Sequence, residues 1–119
     1  MQIVLVIGVY LLVIDLYLNF FTGASILYKN SITLKPINFK KSPIGQPTLI
    51  EELHKCKEED DEFQIAVLKN DIDNAIEEFY DSVQTKINCL DMMGIPIEIV
   101  CRDQDKHYLK LNSRGIKFK

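Results

Sequence analysis

A helix stop and a helix start fall on two adjacent residues, Asn70 and Asp71, with a helical hydrophobic period on either side. Asn tolerates the conformation that turns a chain, and Asp is a favoured N-cap. Upstream, Thr48-Leu-Ile-Glu51 is a capping box. The threonine hydroxyl can accept from the Glu51 backbone, and the Glu51 carboxylate can reach back to the Thr48 N–H. From there Leu49, Leu53, Cys56, Phe63 and Val67 recur at helical spacing to about Lys69. Downstream, Ile72, Ala75, Ile76, Phe79, Val83, Ile87 and Leu90 form one stripe to about Met93, where Gly94 suits the left-handed position after a helix. Two long helices joined by one or two residues must run antiparallel. Pro96 suits the first turn of a further helix, expected to run unbroken to Asn112, before Gly115 and the basic tail IKFK. The expected fold is all-α: an antiparallel helical hairpin plus a C-terminal helix, in a domain spanning 48–119. Such a hairpin leaves wide apolar faces uncovered, so an oligomeric bundle, a homodimer or homotetramer, is expected.

The N-terminal part reads differently. Ile3 to Ile14 carries no charge, and with Asp15 and Asn19 inside it the segment Ile3 to Phe21 is nineteen residues, enough to span a bilayer as a helix. Asp15 opposes that reading at roughly 2.5–3.5 kcal/mol. A secretory signal would open on positive charge, and only Met1 and Gln2 precede the run. Lys29, Lys35, Lys40 and Lys41 follow, and the positive-inside tendency would hold the rest of the chain on the cytoplasmic side. Residues 1–22 are therefore expected to be a membrane anchor on a cytoplasmic domain. The alternatives are a hydrophobic extension that packs on the domain or a partner, or a strand, which the β-branched content permits. Residues 23–47, with Gly23, Pro36, Pro43, Gly45 and Pro47, read as a linker.

Composition excludes some functions. A net charge of −3 gives no electrostatic reason to expect nucleic acid as a partner. Three cysteines, Cys56, Cys89 and Cys101, are odd in number and form no C-x-x-C pair, which suits free thiols rather than a disulfide framework or zinc site. The acidic residues are unevenly placed: twelve of seventeen lie between Glu51 and Asp81. Within them Glu59 and Glu62, and Glu78 and Asp81, are i,i+3 pairs on neighbouring helix positions. Each pair lies a comparable distance from the turn, so the hairpin can bring them face to face. Four converging carboxylates would repel unless one or two Mg²⁺ ions neutralised them. A solvated acidic surface is the bland reading, and on helical wheels Glu78 and Asp81 fall away from the expected apolar stripe. DIDNAIEE is no calcium loop, since Ala75 holds a ligand position and no glycine follows.

The order Glu59-x-x-Glu62, fifteen residues, then Glu78-x-x-Asp81 resembles the ExxE…ExxD signature of MazG-like nucleotide pyrophosphohydrolases, an all-α superfamily that includes dimeric dUTPases. The surrounding LIEELHKCKEEDDEF and AIEEFYDSVQTKINCLDMMGI are similar too, and KLNSRGIKFK looks like the basic tail of short phage-type members. The resemblance covers about residues 47–119 and leaves out the N-terminal run. Asp60 departs from it, being acidic on the expected apolar stripe, where family members tend to carry a non-acidic residue.

What the resemblance implies is Mg²⁺-dependent hydrolysis (with Mn²⁺ as a substitute) of a nucleoside triphosphate between its α and β phosphates. Glu59, Glu62, Glu78 and Asp81 would hold the metal, and Glu59 or Glu62 would orient the attacking water or take its proton. Asn88, two turns beyond Asp81 on the same face, could hydrogen-bond a phosphate or sugar; an ordinary exposed amide is the equal alternative. Lys106, Lys110 and Arg114 could meet phosphates, or form a solvated tail. His54 and His107 read as surface residues, and Cys89 as a core thiol. The competing class is a membrane-tethered interaction module whose acidic hairpin binds a partner without catalysis; dependence on a divalent cation would separate the two.

Overall fold

The structure, a computed structural model, describes residue 32 and residues 34–119, and the expected anchor at 1–22 lies outside them. Leu34–Lys119 forms one compact unit. The described residues are all-helical, with no strand among them. Helix α1 (Leu49–Leu68) and helix α2 (Ile72–Met92) pack along their length as the antiparallel hairpin. Two short helices follow, α3 (Ile97–Arg102) and α4 (Gln104–Ser113). Among the described residues no helix is long and apolar enough to cross a membrane.

The hairpin turn does two jobs in two residues. Asn70 takes a left-handed conformation, φ 54°. Its N–H donates to the Val67 carbonyl, and the Asp71 N–H to the Ala66 carbonyl, both at 3.0 Å. This is a Schellman closure, which satisfies carbonyls left free at a helix end. Asp71 then caps α2, its carboxylate accepting from the Asn74 N–H at 3.3 Å. The same closure ends α2 at Gly94, φ 80°, with the Ile95 N–H on the Leu90 carbonyl. At the start of α1 half of the capping box forms as expected: the Thr48 hydroxyl accepts from the Glu51 N–H at 3.2 Å. The Glu51 carboxylate accepts the Thr48 hydroxyl at 3.0 Å instead of reaching the Thr48 N–H.

The buried face of α1 differs from the expected stripe, and that of α2 matches it only in part: Ala75, Phe79, Val83, Ile87 and Leu90 are buried or half-buried as expected. Along α1 the seam runs Glu52, Cys56, Glu59, Phe63, Ala66, rotated roughly 60° from the expected stripe at 3.6 residues per turn. Leu53, Val67, Ile72 and Ile76 are exposed. Along α2 the seam runs Ala75, Glu78, Ser82, Thr85, Cys89. Most of these side chains are small, so the helices can close on this side, while Leu53, Val67, Ile72 and Ile76 stand outside.

Two further corrections concern the flanks. The C-terminal helix is not continuous from Pro96 to Asn112. Pro96 is the N-cap of α3, and the helix breaks at Asp103. Aspartate is a poor interior helix residue, and this one turns its carboxylate onto Arg102 Nε at 3.1 Å. Helix α4 touches α3 and neither helix of the hairpin. In the expected linker, residues 34–47 belong to the helical unit: a 3₁₀ turn at Phe39–Lys41 buries Phe39, and the segment bonds to α2 as described below.

The left-handed Asn70 yields a sharp test. Asn70→Gly should leave stability unchanged or slightly raised, whereas Asn70→Val should cost about 1–2 kcal/mol in urea unfolding, because a β-branched residue is strained there.

Candidate metal centre in the hairpin seam

The turn sets the register of everything below it. Glu62 and Glu78 each lie eight residues from Asn70, Glu59 and Asp81 each eleven, and Glu52 and Asn88 each eighteen. At 1.5 Å per residue, residues equally far from the pivot stand at one level of an antiparallel pair. The hairpin thus stacks polar layers, with Phe63 and Phe79, ring centroids 6.4 Å apart, meeting across it at about the level of Glu62 and Glu78.

Carboxylate oxygens of Glu59, Glu78 and Asp81 come within 4.8 Å of one another. Glu59 is buried at 4 % exposure, Glu78 is half-buried and Asp81 is exposed, so the group opens to solvent on one side. Glu62 stands exposed at the rim beside Glu78. One oxygen of Glu78, Oε2, is fully buried and has no hydrogen-bond partner. Its burial, together with the charges of Glu62, Glu59 and Asp81, pushes the Glu78 carboxyl up to about 7. Lys55 reaches Glu59 Oε1 at 2.6 Å from one turn earlier in α1. All the ligand atoms offered here are carboxylate oxygens. That donor set fits a hard divalent cation such as Mg²⁺, which prefers oxygen ligands and retains waters on its open side.

Below this layer the seam turns inward. The Cys56 thiol donates to Thr85 Oγ1 at 3.1 Å, and Cys89 lies buried beside it. Burial, then Cys56, pushes the Cys89 thiol up to about 11, which leaves it unreactive at neutral pH. At the lowest level Asn88, only 2 % exposed, is fully committed. Its amide donates to Glu52 Oε1 at 3.0 Å, and its carbonyl accepts from the Ile37 N–H at 2.9 Å and from Gln84 Nε2 at 3.0 Å. Gln84 in turn donates to the Lys35 carbonyl at 2.8 Å. Asn88 is therefore neither an exposed amide nor free for a phosphate; it fastens residues 35–37 and α1 to α2. Asp60 lies off the seam at its edge, where it accepts Lys86 Nζ at 2.6 Å and the Ser82 hydroxyl, so the rotated phase removes the packing conflict its sequence position raised.

The remaining expected site residues lie elsewhere. Lys106 and Lys110 are exposed on α4 and Arg114 caps its end, on an element that does not touch the hairpin. His54 and His107 are exposed. The pattern reading missed Glu52 and Lys55. Glu52 had a signal, since it precedes Glu59 by two turns as Asp81 precedes Asn88. Comparison with protein-family models, with curated protein sequences and with solved structures returns no match to this chain, so a functional reading has to stand on the site.

Two outcomes follow from this geometry. Between about 4.5 and 7 the folded chain holds a proton on Glu78 that the unfolded chain releases, so stability must fall as pH rises through that window. The melting temperature in EDTA should drop from about pH 5 to about pH 8, and Glu78→Gln should flatten the slope. Asn88→Ala should cost roughly 2–4 kcal/mol, since it strands a buried carboxylate and a backbone N–H. Hydrogen exchange should show the Ile37 amide losing its protection.

Proposed function

We propose that the chain is a Mg²⁺-dependent nucleoside triphosphate pyrophosphohydrolase, converting (d)NTP to (d)NMP and pyrophosphate. The observation that carries this reading is the approach of Glu59, Glu78 and Asp81 across the hairpin, with carboxylate oxygens within 4.8 Å, in the order and spacing that resembles the MazG-like signature. Glu59, Glu62, Glu78 and Asp81 would hold the cation. When bound there, Mg²⁺ would neutralise the triphosphate and lower the pKa of a water. Glu62, exposed and without an ion-pair partner among the described residues, is better placed than the buried, lysine-paired Glu59 to take that water's proton. Glu59 then serves as the fixed ligand.

The exposed apolar residues Leu53, Val67, Leu68, Ile72 and Ile76 support assembly into a homodimer or homotetramer of hairpins. Within one chain Lys110 and Arg114 do not meet the carboxylates, and they contribute to the triphosphate only where assembly or substrate brings α4 to the hairpin. The apolar run at 3–21, followed by lysines, supports a tether with the helical unit on the cytoplasmic side.

The test is pyrophosphate release by the full chain from a panel of NTPs and dNTPs, with and without Mg²⁺. Glu59→Gln and Asp81→Asn should each reduce turnover by more than the roughly 10–100-fold that losing an outer-shell partner costs, with helicity retained by circular dichroism. Cation-independent inactivity of the folded wild type would instead make the acidic hairpin the partner-binding face of an interaction module.

A further inference from the structure

Glu59 is the most buried carboxylate of the cluster, and its one counter-charge is built in. Among the described residues Lys55 is the cation that pairs with a cluster carboxylate; Lys86 is held by Asp60 and Lys57 by Asp61. The Lys55 ammonium sits between two seats. One is Glu59 Oε1 at 2.6 Å, whose side chain is 6 % exposed; the other is Glu58 Oε1 at 3.1 Å, whose side chain is 56 % exposed. The lysine itself is about half exposed, on a flexible four-carbon stem. It can therefore leave the inner seat and keep a partner at the rim, so its departure strands no charge. Hydrogen bonds to Glu59 and Glu58 hold its pKa above the ordinary value, and it stays charged throughout.

A divalent cation coordinated by Glu59 would stand within a few ångströms of that ammonium, where like charges repel, the more strongly because the divalent ion carries twice the charge and the site is partly shielded from water. We infer that Lys55 is a resident counter-cation that competes with the divalent cation for Glu59, and that metal binding moves its ammonium from Glu59 to Glu58. This rests on the metal-site reading above and adds a determinant of the site's cation affinity. Without metal, Lys55 offsets the charge of Glu59; with metal, the divalent ion takes that role.

The experiment is a Mn²⁺ titration of the full chain, following free Mn²⁺ by electron paramagnetic resonance, for wild type, Lys55→Met, Lys55→Arg and Lys57→Met. Lys55→Met should bind Mn²⁺ roughly three- to tenfold more tightly, the scale of losing a partly exposed ion pair. Lys55→Arg should stay near wild type. Lys57→Met, which removes the same charge from the pair with Asp61, should change little. A Lys55→Met affinity equal to or weaker than a measurable wild-type affinity would overturn the inference and leave the metal site standing. Absence of Mn²⁺ binding in wild type and Lys55→Met alike would overturn the metal site and this inference together. A measurement on unmutated protein guards against a variant that fails to fold: in nuclear magnetic resonance the Lys55 side-chain signals should move as Mg²⁺ is added. Unmoved Lys55 signals while those of Glu59 and Glu78 shift would equally overturn the proposal.

Discussion

The two-residue closure at Asn70 and Asp71 is the constraint on which the rest of the hairpin depends. A longer loop would let α1 and α2 slide by a residue or more against one another, and one residue of slip displaces every layer by about 1.5 Å while rotating the facing side chains by about 100°. With Asn70 left-handed and Asp71 acting both as the last donor of one helix and the cap of the next, no such freedom remains. Glu62 stands level with Glu78, Glu59 with Asp81, and Glu52 with Asn88, because each pair is equally distant from the pivot. The polar layers of the seam are thus consequences of a turn some 12–27 Å away.

Those layers resolve buried charge in different ways. At the lowest level Glu52 receives an amide donor from Asn88, which is itself bonded to the backbone of Ile37, so a carboxylate is satisfied by hydrogen bonds. At the edge of the seam Asp60 takes Lys86 from the opposite helix, a cross-hairpin pair that leaves its carboxyl below the ordinary range through the bonds from Lys86 and Ser82. The upper layer alone is left short of positive charge: three carboxylates, one lysine, and an oxygen with no donor. Its contrast with the two satisfied sites is the physical reason to regard it as something other than surface acidity. On the proposed reading, a cation would supply the charge this layer lacks.

Much of this was legible from the chain. Thr48, Asp71 and Gly94 marked helix ends through cap chemistry that is local, and local chemistry does not depend on what packs where. The i,i+3 spacing of the acidic pairs and their distance from the turn made their meeting foreseeable. The phase of α1, and of the first turn of α2, was not legible, whereas Phe79, Val83, Ile87 and Leu90 of the expected α2 stripe are buried or half-buried. Hydrophobic periodicity finds the face of greatest apolar content, and here Leu53, Val67, Ile72 and Ile76 dominate that average while lying outside the hairpin's own contact. Asn88 was misjudged for a related reason. Its position below Asp81 was read correctly, but the segment at residues 35–37 that folds over it carries proline and no helical period, and gave no sign of docking. The break at Asp103 has the same character, a weak local preference left unopposed because α4 has no hairpin surface to follow.

The misphase and the candidate site are two views of one arrangement. A helix that touches a single neighbour turns its most apolar face to that neighbour; a helix that must serve two contacts turns it between them, or toward the larger. Here the inner seam holds Glu52, Glu59, Glu78, Thr85 and Asn88, polar groups whose burial is at best neutral, and among the described residues only Ala66, Ile87, Cys89 and Phe39 are deeply buried apolar residues. So little apolar burial is a meagre core for a unit of this size. The outer stripe carries what the seam lacks. On the proposed reading, a second hairpin covers that stripe and supplies the hydrophobic stabilisation that allows the seam to remain acidic. Charge inside and apolar surface outside then require each other: moving the leucines and isoleucines inward would stabilise the monomer, and would fill the space in which the carboxylates meet.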